Sequence, residues 1–151
     1  MAELLTVWID NDGCPVRIRE IVFKAAARVG FPLKIVANRY MHPPRGVNAE
    51  VIVAGSGFDA ADDHIAEQVA AGDIVITADV PLAARIVDQQ AIALSPSGRL
   101  FDAESIKEQL AMRNLRQELR GAGIIKGGGK PLGDQEVHRF AAAFDRLVAR
   151  A

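Results

Sequence analysis

Short, continuously apolar runs recur along this chain, and each is followed by turn residues and then by a helical pattern. Leu5 to Ile9 ends in Asp10-Asn11-Asp12-Gly13, and Leu33 to Ala37, Val51 to Ala54, Asp73 to Thr77 and Ala91 to Leu94 repeat the form. A run that is apolar at consecutive positions predicts a strand covered on both faces, as in a parallel sheet. Between the runs lie helices. Pro15 opens one that carries Ile18, Ile21, Val22, Ala25 and Val29 on one face and stops at Gly30. Others are expected from near Ala60 to Ala71, Pro81 to Asp88, Glu104 to Arg120 and Gln135 to Arg150, the last with Phe140, Phe144 and Leu147 on one face. This alternation predicts an α/β fold, a three-layer α/β/α sandwich around a mainly parallel sheet of about five strands.

The 151 residues fit one domain, 1–151, with Gly121 to Gly133 read as a glycine-rich, mobile segment. No apolar stretch approaches the roughly 18 residues of a membrane span, and no basic-then-apolar secretion signal opens the chain. Cys14 is the sole cysteine, which rules out an intrachain disulfide and points to a reducing, cytoplasmic setting. The net charge of −1 hides a split. Residues 1–98 hold 8 Lys/Arg against 12 Asp/Glu, and residues 99–151 hold 10 against 7. An acidic site beside a basic surface fits that split.

In doubly wound sheets the active crevice lies beyond the carboxyl ends of the strands. Acidic residues gather at that expected edge. Asp10 and Asp12 follow the first strand, Asp79 follows the fourth in Thr77-Ala78-Asp79, and Asp59, Asp62 and Asp63 start the helix after the third. At about 100° per residue, Asp62 lies about 60° from Ile65 on the apolar face, while Asp63 lies about 160° away. Asp62 is therefore the better ligand, whereas Asp59 and Asp63 are explained by the helix dipole. Carboxylates about 4 Å apart repel by roughly 4 kcal/mol at an effective dielectric near 20, so a convergent set needs a cation, a shared proton or more distance. Hard oxygens without paired His or Cys favour Mg²⁺ or Mn²⁺.

Other motifs compete for the same residues. Asp10-Asn11-Asp12-Gly13 also resembles haloacid-dehalogenase-like phosphatases, with Asp10 as nucleophile and Asp12 as acid/base. Their late acidic pair is matched only with wrong spacing, because Asp73 would begin a strand. Gly55-Ser56-Gly57-Phe58-Asp59-Ala60 imitates a dinucleotide fingerprint, but Asp59, Asp62 and Asp63 would repel a pyrophosphate. Gly127-Gly128-Gly129-Lys130-Pro131 is no P-loop, since Pro131 replaces the Ser/Thr. Cys14 is either a helix-end thiolate or, more in keeping with a lone Cys before Pro, a small packed residue supporting the site. Trp8 and Phe58 are assigned to the core, and His42, His64 and His138 to loops or surface.

The run Val7-Trp8-Ile9-Asp10-Asn11-Asp12-Gly13-Cys14-Pro15-Val16 resembles the opening of the YaiI/YqxD family of bacterial proteins, usually Asp-Ala-Asp-Ala-Cys-Pro-Val. The resemblance continues through Asp62-Asp63-His64-Ile65, Gly72 to Ala83, Arg113-Asn114-Leu115-Arg116 and the glycine-rich segment. Asn11 and Gly13 replace two alanines and spare both carboxylates and Cys14. That family looks like a branch of the PIN-like fold, whose members are often metal-dependent nucleases. The resemblance implies Asp10, Asp62 or Asp63, and Thr77 with Asp79 as site residues, Asp12 being the family's addition.

The expectation is a Mg²⁺- or Mn²⁺-dependent nuclease that cleaves RNA or another nucleic acid through Asp10, Asp12, Asp62 and Asp79, with Asp63 as a further metal ligand and Thr77 and Cys14 in support. Arg17, Arg39 and Arg45 near the crevice, and Arg113, Arg116 and Arg120 on one helix face, are the expected phosphate contacts, with Lys126 and Lys130 after them. A non-catalytic metal- or nucleotide-binding regulator is the alternative, and the phosphatase a third. Oligomeric state is left open.

Overall fold

The structure, a computed structural model, describes residues 5–55, 60–124 and 132–149. Phe58, Asp59, Lys126, Lys130 and the glycine run at 127–129 lie outside the described residues. Five strands, β1 (Val7–Asp10), β2 (Leu33–Ala37), β3 (Ala49–Val53), β4 (Ile74–Ile76) and β5 (Ile92–Leu94), form one sheet in the order β3-β2-β1-β4-β5. Every pairing is parallel. Among the described residues the helices are α1 (Val16–Val29), α2 (Ala60–Gln68), α3 (Val80–Asp88), α4 (Ile106–Gly121) and α5 (Asp134–Ala149). The fold is the expected three-layer α/β/α sandwich.

Alternation along each strand builds the layers. Val7, Ile9, Leu33, Ile35, Ile74 and Ile76 point to one face, where α1 packs through Ile18 and Val22 and α5 through Phe140 and Phe144. Trp8, Val36, Val75 and Ala93 point to the other, against Ile65 of α2, Leu82 and Ile86 of α3 and Ile106 of α4. Trp8 is core, as expected.

Two departures from the sequence reading have a visible cause. β3 begins at Ala49, two residues before the apolar run, because Ala49 and Glu50 pair with Leu33 and Lys34 and continue the ladder. Helix α2 ends at Gln68 instead of Ala71. The Asp73 carboxylate takes the Ala70 amide (3.0 Å), and Asp73 N in turn bonds Ala70 O, closing a turn where Gly72 has φ 87°. A side chain that supplies the amide's acceptor removes the reason to continue the helix.

The strand order places the site. The chain builds outward from β1 through β2 to β3, then returns to lay β4 on the other side of β1. The β1/β4 boundary is thus the switch point, where the loops after the two strands separate and leave a crevice. Asp10 is the last residue of β1, and Thr77 directly follows β4.

Candidate functional site

Asp10 closes β1 with only 8% of its surface exposed. One carboxylate oxygen, Oδ2, accepts a hydrogen bond from the Thr77 hydroxyl (2.8 Å). Thr77 Oγ1 in turn accepts from the Asp79 amide (3.0 Å), and Asp79 Oδ1 caps α3 by accepting from Leu82 N (2.9 Å). Asp79 and Pro81 together start α3 as an N-cap residue and an early proline do. One chain of bonds therefore ties the end of β1 to the start of α3. Thr77, 2% exposed, is its pivot.

Burial pushes the Asp10 carboxyl above its ordinary range. The Thr77 hydrogen bond opposes that shift, while Asp79 and then Asp12 add to it by charge repulsion. Asp79 and Asp12 therefore both act on Asp10 at the switch point. Asp12 lies on a short 3₁₀ turn, Asn11–Gly13, and is exposed, its Oδ1 accepting a long bond from Asn38 N (3.4 Å). Asn11 receives Arg19 Nη1 at 2.8 Å, which fastens that turn to α1.

The other expected residues are distributed as follows. Asp62 is half-buried on α2, whereas Asp63 is exposed and paired with Arg85 at 2.7 Å. Arg17 is held by Asp134 at 2.9 Å, and Arg39 and Arg45 stand exposed between β2 and β3. Arg113, Arg116 and Arg120 line a cleft of about 700 Å³, together with Arg99. Gly13 and Pro15 after β1 and Ala78 and Val80 after β4 line the same cleft, so it adjoins the acidic centre. Arg99 escaped the sequence reading, since the turn Ser95-Pro96-Ser97-Gly98 gave no sign that the next residue would face these helical arginines.

Cys14 is a buried thiol in the α1/α5 layer of the core. Burial pushes it up to about 12, Arg19 opposes, and Asp10 adds to the rise. It is a neutral packed residue at pH 7 and not a helix-end thiolate.

Whether this donor set suits a hard cation depends on number and chemistry. Among the described residues, no three His, Cys, Asp or Glu side chains stand where together they could hold a metal ion. Mg²⁺ does not need such a cage. It keeps several waters and takes one or two carboxylates plus substrate phosphates. Asp10 and Asp79 have the chemistry for that smaller set: each engages one oxygen in the bonds above, which involve neither Asp10 Oδ1 nor Asp79 Oδ2.

Sequence comparisons place the chain among known proteins. The profile described as "Uncharacterized BCR, YaiI/YqxD family" matches residues 8–150. A UPF0178 protein of Geobacter sulfurreducens is 50% identical over 147 residues, 97% of each chain. One from Xanthomonas campestris pv. campestris is 46% identical over 97% of this chain and 92% of its own. Another from Trichlorobacter lovleyi is 44% identical over 97% of this chain and 95% of its own. No solved structure matches. On the profile match and on identities of this size over nearly full length, the chain belongs to the YaiI/YqxD family.

Proposed function

We propose that this protein is a Mg²⁺- or Mn²⁺-dependent nuclease of PIN-like type that hydrolyses phosphodiester bonds in RNA. The observation that carries the reading is Asp10, a buried carboxylate at the sheet's switch point bonded through Thr77 to the Asp79 segment; burial raises its carboxyl, and Asp79 and Asp12 add to the rise by repulsion. A divalent ion would relieve such repulsion. The arginine-lined cleft beside it supports a polyanionic substrate.

Within this reading Asp10 and Asp79 hold the ion and Asp12 is close enough to add charge. When bound, the ion supplies Lewis acidity and lowers the pKa of bound water. Thr77 fixes the Asp10 carboxylate through Oδ2 and leaves Oδ1 out of that bond. Arg99, Arg113 and Arg116 orient the phosphate chain and offset its charge. Among the described residues, no helix is long and apolar enough to cross a membrane. A cytoplasmic location accords with the neutral, buried Cys14 thiol.

The test is incubation of pure protein with mixed RNA and with small phosphate esters, in Mn²⁺ or in chelator, beside Asp10→Asn. The reading expects metal-dependent RNA cleavage that falls at least about a hundredfold in Asp10→Asn. Turnover of the small esters alone would transfer the assignment to a phosphatase. Metal binding without turnover of either substrate would transfer it to a non-catalytic regulator.

A further inference from the structure

The cleft on the β5 side of the same sheet edge carries more chemistry than the orienting of a phosphate chain requires. Arg113, Arg116 and Arg120 sit three and four residues apart, so α4 presents them as one row, and Arg99 joins from the β5–α4 turn. Glu108 is the sole acid among the residues that line the cleft. The ion pairs among the described residues are Arg17–Asp134, Arg28–Asp145 and Arg85–Asp63, and none of them uses a cleft arginine. Like charges so spaced repel one another, so the row is a standing attraction for an anion.

The turn facing the row is held in place. Gly98 has φ 87°, and a Cβ there would lie 2.6 Å from Arg139 C and Phe140 N, so the backbone of the turn is seated directly on α5. Ser95 Oγ accepts from Arg99 N (3.1 Å) and lies 2.7 Å from Ser97 Oγ. Only one of the two hydroxyl hydrogens is used between the serines, so the other is available to a further acceptor. A rigid turn carrying a hydroxyl donor and an arginine, opposite further arginines, has the chemistry of a phosphate cradle.

The cleft is too large for phosphate alone. Its volume of about 700 Å³ is that of a small-molecule pocket, and Phe101, Met112 and Val80 give it an apolar part. We infer that this cleft is a binding site for a nucleoside monophosphate unit. The phosphate sits on Arg99, Arg113, Arg116 and the serine pair, and the base or sugar lies against Phe101 and Met112. Gly13 and Ala78 connect it to the acidic centre, so it would hold one nucleotide of a substrate chain there. It stands on its own residues and does not require the nuclease reading.

Binding is measured by equilibrium dialysis in chelator, with AMP, adenosine and inorganic phosphate as separate probes. AMP is expected to saturate at one per chain, with adenosine and inorganic phosphate each weaker by about tenfold or more, as loss of a charge-assisted contact predicts. The double variant Arg113→Gln/Arg116→Gln should lose about tenfold in AMP affinity while its circular dichroism and melting stay unchanged. Should it fail to fold, Arg99→Gln carries the same expectation. Arg28→Gln, at an exposed arginine that does not line the cleft, should bind AMP as the parent does, which ties the loss to the cleft and not to net charge. Equal binding of AMP and adenosine, phosphate binding as tight as AMP, no AMP binding, or unchanged affinity in the arginine variants would each overturn the inference.

Discussion

Two aspartates, Asp10 and Asp73, occupy opposite ends of the same two central strands, and each is 8% exposed. Asp73 enters β4 at its amino end and accepts three hydrogen bonds: from Thr6 N (3.2 Å), Trp8 Nε1 (3.1 Å) and Ala70 N (3.0 Å). It stitches the segment before β1, the core tryptophan and the end of α2 to one carboxylate. Asp10, at the carboxyl end, accepts from Thr77 alone among the described residues, and Asp79 and Asp12 repel it. Equal burial thus serves different ends. Asp73 thus serves the fold through three hydrogen bonds, whereas Asp10, buried beside two other acids, is where the proposed ion would act.

Substitutions can break this contrast. Asp73→Ala should have the largest effect, about 3 kcal/mol lower stability in urea unfolding, because it strands the buried Trp8 Nε1–H and two amides. Thr77→Val should cost about 1 kcal/mol by the same measurement. Since the Thr77 bond lowers the Asp10 pKa, the variant should also move the Asp10 titration, followed by carboxyl NMR, to higher pH. Asp63→Asn should be nearly silent, within about 0.5 kcal/mol, because its pair with Arg85 is exposed. If Asp73→Ala and Asp63→Asn prove equally mild, the division of labour between the two ends is wrong.

Much of this was legible in the sequence. The apolar runs marked all five strands, with β2 at its exact bounds, and strand ends followed by Asp singled out Asp10 and Asp79. Asp73 was also visible, yet only as a strand's first residue. Its role depends on Thr6 and Trp8, more than 60 positions away, meeting it across the β1/β4 ladder. Likewise Arg17, read as a phosphate contact, pairs on the surface with Asp134, 117 residues distant. Local periodicity reports which face of an element is apolar and is silent on which polar partners the topology brings to it.

The most direct measurement is urea unfolding of the parent and Asp10→Asn, each with and without Mn²⁺, from pH 4 to pH 8. A raised carboxyl pKa means that the folded state binds the proton more tightly than the unfolded chain. Ionising Asp10 therefore costs stability as pH rises from the ordinary carboxylate value through the raised one. The account predicts that without metal Asp10→Asn is the more stable protein at neutral pH, with a flatter pH profile. It also predicts that Mn²⁺ stabilises the parent near pH 7 and leaves the variant unmoved. A less stable variant that Mn²⁺ stabilises as much as the parent would contradict the claim that Asp10 is kept for a cation.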